Sequence, residues 1–170
     1  MGILKVIQNT NSSDDYLYNA IYYVENKVET VGVGGYRVDP YNAYQQMMAV
    51  KNYFGKASGN QLMHFVVSFE KRVADIETAL DYAYKIAMYY GNRFQTVFAV
   101  HEKDCYYKGQ LRSCYHVHFI LNSVSYVDGK MFAQSKGELY QFMKYIGKIV
   151  KDKNFKVLYG SECNGTEEYI

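Results

Sequence analysis

The 170-residue sequence has no Trp, a single Pro, three Cys and four His, and no long apolar run. Without an apolar stretch of about 18 residues, no membrane-spanning helix is expected. The odd number of cysteines and the lack of a secretory signal at the N-terminus predict a reduced, cytoplasmic protein and argue against a disulfide scaffold. The formal net charge of +2 permits nucleic-acid binding but does not by itself indicate it.

Tyrosine, in contrast, is abundant, with 20 of the 170 residues. Its ring can stack on unpaired bases, although packing in half-buried strands and at sheet edges is its commoner use. A chain of this length is expected to form one domain with a core of its own. We assign residues 1–160 to that domain and residues 161–170 to a polar C-terminal tail.

Hydrophobic periodicity predicts four helices and five strands in the order β-α-α-β-α-β-β-α-β. Helical spacing of apolar residues predicts helices near 14–24, 40–54, 76–90 and 139–150. Apolar or alternating runs predict strands at 3–8, 64–69, 94–101, 115–122 and 155–159. The glycine-rich segment 30–41 is interpreted as a loop. This order favours an α+β fold, with a largely antiparallel sheet, the helices on one face and an open active-site face.

The most informative stretch is the predicted strand 115–122. Side chains alternate along a strand, so His116, His118 and Asn122 would share one face while the apolar residues occupy the other. His101 ends the preceding apolar run, which places three of the four His within 18 positions. Three imidazoles can bind one divalent cation and leave coordination positions open for substrate oxygens.

Two simpler interpretations compete with a three-histidine metal site. A His-x-His pair is common at exposed strand positions, and such short motifs often match by chance. Cys105 and Cys114 lie close to His101 and His116 in the sequence, which raises the possibility of a Cys2His2 zinc site. That alternative is less favoured, because the spacing fits no common zinc-finger pattern.

The histidine motif belongs to an ordered set of sequence blocks. The blocks are Asn19–Val24, Asn26–Thr30, Asp39-Pro40 with Ala43, Met47 and Lys51, Phe54–Lys56, His64–Phe69, His101, His116–Phe119, Asn122–Val124 and Asp128–Lys130. In this order they resemble the relaxase, or mobilisation nuclease, domain of the HUH endonuclease superfamily, where U is a hydrophobic residue, and more closely its P-class-like members. The similarity spans about residues 3–160.

The resemblance implies a site- and strand-specific DNA endonuclease and transesterase. Such an enzyme nicks the transfer origin of a plasmid or integrative element through a covalent 5′-phosphotyrosyl intermediate, for conjugative mobilisation. Tyr23 would be the nucleophile, with Tyr22 as the alternative, and His101, His116 and His118 would bind one Mn²⁺ or Mg²⁺ ion. The implied partners are single-stranded or origin DNA, auxiliary relaxosome proteins and a coupling protein, with no membrane.

Around this centre, further polar residues are candidates for supporting or DNA-binding roles. Asp104 or Glu102 would orient His101, Ser68 and Asn122 would contact metal-bound water or phosphate, and His64 would be structural or face DNA. Two features depart from the family pattern. Glu29 stands where the family usually has Lys, and fourteen residues, 102–115, separate the first His from the pair.

Other functions remain open at this point. Rolling-circle replication initiators and single-tyrosine transposases place their tyrosine after the histidine motif, and Tyr140 or Tyr145 would fit that order. The upstream blocks favour the relaxase order. A non-catalytic module that binds single-stranded DNA on the same fold is the alternative from a different functional class.

Overall fold

A computed structural model describes residues 2–8, 13–69, 73 and 75–160. The strands are β1 (Gly2–Ile7), β2 (Thr30–Tyr36), β3 (Leu62–Ser68), β4 (Thr96–Tyr107), β5 (Gln110–Asn122) and β6 (Phe155–Gly160). The helices are α1 (Tyr16–Glu25), α2 (Ala43–Tyr53), α3 (Ile76–Ala87) and α4 (Lys136–Ile149), and a short 3-10 turn, Pro40–Asn42, precedes α2. The predicted tail, 161–170, lies outside the described residues.

The six strands form one open sheet in the order β2-β4-β5-β3-β1-β6. All neighbouring pairs are antiparallel except β1 and β6, which are parallel. The expected α+β class with a mostly antiparallel sheet is therefore confirmed. β5, which carries His116 and His118, lies inside the sheet between β4 and β3.

The helices differ from the expectation in one respect, because they cover both faces of the sheet. α3 and α4 pack on one face, where Phe142 meets Phe65 and the core includes Val117 and Phe119. α1 and α2 pack on part of the other face, over Val97, Ala99 and Ile120. The second face is therefore open only where α1 and α2 do not cover it, since α1 has an apolar stripe of its own that must be buried.

The segment 30–41, expected to be a loop, begins with the edge strand β2. Its glycines permit close packing: a Cβ on Gly34 would lie 2.5 Å from the Phe98 ring, and one on Gly32 would lie 3.2 Å from Leu80. Neither glycine adopts a positive φ. The glycines thus reflect close contact with neighbouring side chains, and a strand replaces the expected loop over residues 30–36.

No helix in the described part of the chain is both long enough and apolar enough to cross a bilayer.

Candidate metal and nuclease site

The sheet brings His101, His116 and His118 together. His101 on β4 pairs directly with His116 on β5, and His118 follows two residues later on the same face. The ring centroids are 4.5 to 5.2 Å apart, and one nitrogen from each ring lies within 4.8 Å of the others. Among the described residues this is the one group of three or more His, Cys, Asp or Glu that could hold a metal ion.

The end of α1 fixes the orientation of His101. Its Nε2 lies 2.7 Å from the backbone oxygen of Val24. A carbonyl oxygen can only accept, so Nε2 carries the proton and Nδ1 carries the lone pair. This hydrogen bond leaves Nδ1 as the nitrogen of His101 that can bind a cation.

His118 has a different partner, the fourth histidine of the chain. Nε2 of His64, on β3, lies 2.9 Å from Nδ1 of His118, and His64 is only 3% exposed. If His118 donates through Nδ1, its Nε2 holds the lone pair. His64 is therefore buried next to the cluster and supports His118, and its burial excludes the expected contact with DNA.

Burial keeps the three imidazoles uncharged. It lowers the pKa of His116 to about 3, with further contributions from His101, Lys103 and Lys27. Burial is also the main reason why the pKa of His118 is well below its usual value and that of His101 is lowered. Neutral imidazole is the form that binds metal ions, so the cluster is ready to bind a cation at neutral pH.

The donor set fits a divalent transition-metal ion. The imidazoles are neutral, close enough to share one cation, and in two cases oriented through the other ring nitrogen. Such outer contacts are typical of metal-binding histidines. Mg²⁺ prefers oxygen ligands, so the nitrogen donors favour a transition-metal ion over Mg²⁺.

The two candidate nucleophiles on α1 are both exposed but have different neighbours. Tyr23 is 44% exposed, and the Lys27 ammonium lies 4.1 Å from the centre of its ring. Lys27 also acts electrostatically on all three histidines of the cluster. Tyr22 is 58% exposed and stacks on Tyr18, with ring centres 6.1 Å apart. Tyr23 thus shares a charged neighbour with the cluster.

The expected supporting residues Ser68 and Asp104 lie on opposite faces. Ser68 pairs with His116 across β3 and β5 and so lies beside the cluster. Asp104 and Glu102 alternate with His101 along β4, which directs both carboxylates to the other face. The Val24 carbonyl therefore takes the role expected of these carboxylates.

Asn122 lies at the far end of β5, fully buried under α2. Its Nδ2 donates to Gln95 Oε1 at 3.0 Å and to the Met47 carbonyl at 3.3 Å. Close by, the buried Lys51 ammonium donates to Ser123 Oγ at 2.7 Å. We therefore assign Asn122 a role in packing α2 on the sheet, in place of the expected contact with phosphate or water at the metal site.

The downstream tyrosines lie across the sheet from the histidines. Both belong to α4, which packs on the opposite face. The Tyr145 hydroxyl donates to the Lys85 carbonyl at 2.7 Å, and Tyr140 is half exposed with the Lys144 ammonium 4.5 Å from its ring centre. In this fold, neither tyrosine can reach the cluster from α4.

Cys105 and Cys114 form a disulfide between β4 and β5, with their Cα atoms 5.9 Å apart. The expectation of reduced thiols was wrong for this pair, because the antiparallel hairpin places the two cysteines diagonally across from each other. A Cys2His2 zinc site is excluded, since both sulfur atoms are engaged in the disulfide.

Sequence interpretation missed the contribution of Lys27. It follows Tyr23 by four residues but lies two residues past the end of α1, so helical spacing alone would not have identified it. No sequence signal could have identified the Val24 carbonyl, because any residue offers a backbone oxygen.

Residues 16–155 match the relaxase family described as MobA/VirD2-like, nuclease domain. The match covers most of the chain, so the protein belongs to this family, whose members are DNA-nicking enzymes. Comparison with curated proteins and with solved structures found no matching relative.

Proposed function

We propose that the protein is a relaxase that nicks one DNA strand at the transfer origin of a plasmid or integrative element, for conjugative mobilisation. The observation that carries this proposal is the convergence of three neutral imidazoles on the sheet face against which α1 packs. That helix carries Tyr23, and the residue after it holds His101 in place. A relaxase needs both parts, a cation site and a tyrosine beside it.

Tyr23 is the proposed nucleophile. Its side chain is accessible to DNA, and Lys27 lies over its ring and within electrostatic reach of the histidines. A phosphate between the histidines and Tyr23 would therefore also lie close to a positive charge. Tyr22 packs with Tyr18, which in turn contacts Tyr44 on α2. These contacts favour Tyr23 over Tyr22.

The proposed reaction is a reversible transesterification. The Tyr23 oxygen attacks the scissile phosphorus and its phenolic proton leaves, while the bond from phosphorus to the 3′ oxygen breaks. The leaving oxygen takes up a proton and becomes a free 3′-hydroxyl, and the 5′ end stays bound to Tyr23. The energy of the original phosphodiester is kept, so a 3′-hydroxyl can later reverse the step.

The histidines would hold one divalent cation, Mn²⁺ in preference to Mg²⁺, and that cation would stabilise negative charge on the scissile phosphate. The chain supplies the positioning. Val24 sets the tautomer of His101, His64 supports His118, and Ser68 lies beside His116. Auxiliary relaxosome proteins and a coupling protein belong to the same proposal as partners of the nicked DNA.

A replication initiator or transposase with a downstream nucleophile is less well supported. Its tyrosine would have to come from α4, and the sheet lies between α4 and the histidines. The remaining competitor is a module that binds single-stranded DNA without cutting it.

The test uses single-stranded oligonucleotides that tile the DNA flanking the coding gene, incubated with the protein and Mn²⁺. We expect a covalent protein–DNA adduct on a denaturing gel. Tyr23→Phe should abolish the adduct and leave DNA binding unchanged, because only the attacking hydroxyl is removed. Tyr22→Phe is the matched control and should still form the adduct.

Other outcomes would contradict the proposal in distinct ways. An adduct that survives in Tyr23→Phe but disappears in Tyr22→Phe would identify Tyr22, and not Tyr23, as the nucleophile. DNA binding by the wild-type chain without any adduct or nick, across all oligonucleotides and metal ions, would identify a binding module.

A further inference from the structure

The β4–β5 hairpin extends beyond the rest of the sheet as a two-stranded ribbon. Pairing of β4 with β2 ends at His101, and pairing of β5 with β3 ends at His116. Residues 103–107 and 110–114 pair only with each other. At about 3.4 Å per residue, these five-residue segments project roughly 15 Å past the histidine cluster. We refer to residues 103–114 as the ribbon.

The two faces of the ribbon carry opposite charges. Alternation along the strands places Lys103 and Arg112 on the histidine face, together with the disulfide. Asp104, and Glu102 just before the ribbon, lie on the opposite face. A strand pair with cations on one side and carboxylates on the other is suited to receive an anion on the first side only.

Lys103 lies close to the site. It follows His101 by two residues on the same face of β4, and its charge contributes to the lowered pKa of both His101 and His116. The positively charged surface of the ribbon thus borders the histidine cluster, where Lys27, two residues past the end of α1, adds positive charge and Glu29 adds one negative charge.

The disulfide holds this surface in place. A two-stranded hairpin alone is marginally stable in water, but Cys105 and Cys114 link the two strands covalently. Lys103 is the cross-strand partner of Cys114, and Arg112 is the partner of Cys105. Each cation therefore sits directly opposite one end of the cross-link.

We propose that the histidine face of the ribbon binds the sugar–phosphate backbone of single-stranded DNA beside the scissile phosphate, through Lys103 and Arg112. The inference rests on the proposed function and adds the path that the strand takes away from the site. Two neighbouring basic side chains on a protein surface can bind the phosphates of a DNA strand. Such contacts do not depend on the base sequence.

The test measures binding of fluorescein-labelled dT30 by anisotropy in EDTA, where no cleavage takes place, at several salt concentrations. Lys103→Ala/Arg112→Ala should weaken binding roughly tenfold and reduce the slope of log K against log salt by about 1.4, or 0.7 for each lost phosphate contact. Lys136→Ala/Lys148→Ala removes the same charge from α4 on the opposite face of the sheet and should change affinity less than twofold. Thermal melting checks that the variants are folded.

A third variant separates position from net charge. Adding Asp104→Lys to the double variant restores the wild-type net charge. The double variant loses two positive charges, and replacing Asp by Lys raises the net charge by two. The restored charge lies on the wrong face of the ribbon, so we expect affinity to stay low. Recovery of wild-type affinity in this triple variant would overturn the assignment.

The two proposals fail in different ways. If the wild-type chain forms its covalent adduct while the double variant binds dT30 with unchanged affinity and salt slope, the ribbon proposal is wrong and the relaxase proposal stands. If the wild-type chain binds no DNA, both are wrong.

Discussion

His101 is oriented by a neutral backbone oxygen, although the sequence suggested a carboxylate. Glu102 and Asp104 are one and three residues away from it in the chain, but alternation along β4 directs them to the other face. The Val24 carbonyl accepts the proton of Nε2 and adds no charge to the site. A cation held by these histidines would thus keep its full charge for the phosphate.

Glu25, the last residue of α1, provides a test at the level of one side chain. Burial, with a smaller contribution from Asp39, raises its pKa from 4.5 to about 7. Its Oε1 is buried and accepts no hydrogen bond from the part of the chain that the structure describes. Above this pKa the folded protein must therefore hold a poorly compensated negative charge.

This carboxylate predicts a pH-dependent stability. The folded state binds the proton more tightly than the unfolded state, so the contribution of Glu25 to stability falls as pH rises from 4.5 to about 7. Glu25→Gln should raise the free energy of unfolding at pH 8 by about 1–2 kcal/mol and change it little at pH 4.5. Urea unfolding at the two pH values measures the difference.

Glu77→Gln, at an exposed position of α3, is the control for effects common to the loss of any carboxylate. An equal gain for Glu25→Gln at both pH values would contradict the assigned cause.

At the level of elements, the β4–β5 hairpin shows what becomes of the fourteen residues that separate the first His from the pair. The insert 102–115 is a regular extension of both strands. Its cysteines are nine residues apart and are joined. Antiparallel pairing brings such residues together, whereas the odd number of cysteines in the sequence had predicted reduced thiols.

Removing the cross-link should loosen the ribbon alone. In Cys105→Ser/Cys114→Ser, we expect amide hydrogen exchange within 103–114 to accelerate at least tenfold, because closing so short a loop contributes about 2–3 kcal/mol. Amides of β5 that pair with β3, such as those near Phe119, should exchange at the wild-type rate. Mass spectrometry of exchanged peptides measures both regions.

An equal acceleration throughout β5 would show that the disulfide supports the whole sheet, which the register of the strands does not predict. Reduction of the wild-type protein by a thiol should reproduce the local effect without any substitution.

At the scale of the whole molecule, the distribution of helices defines the site. α3 and α4 complete the apolar core on one face, while α1 and α2 cover only part of the other. The histidines lie beside the edge of that partial cover, where α1 ends. A cation there would bind histidine side chains from β4 and β5. The orientation of these side chains depends on α1, which holds His101, and on β3, which carries His64.

A bound cation should therefore stabilise the fold as a unit. At a Mn²⁺ concentration 100 times the Kd, linkage predicts about 2.7 kcal/mol, or a rise in Tm of roughly 5–10 °C for a domain of this size. Mg²⁺ should give a smaller shift because the donors are nitrogen atoms. Differential scanning fluorimetry after removal of metal by EDTA measures these shifts.

His118→Ala should lose the metal-dependent shift, whatever its own Tm, while Tyr23→Phe should retain it. The same shift in His118→Ala as in the wild type would place the bound cation elsewhere.

Much of the fold was accessible from local pattern. The four helices, five of the six strands and the grouping of His101, His116 and His118 followed from periodicity and alternation, which depend on neighbouring residues. β2 was missed because glycines in a sequence usually indicate a turn or loop. Here Gly34 allows close contact with Phe98, and Gly32 with Leu80, which are distant in the chain. The role of Asn122 was missed because its burial depends on α2.

Side-chain direction alternates with every residue of a strand and needs no partner, so the amino-acid sequence was enough to predict which residues share a face. Strand register and helix placement in the folded chain set which helices cover the histidine face, which oxygen holds His101, and that two cysteines and two cations meet on one ribbon. Both join residues distant in the chain and leave no local signal.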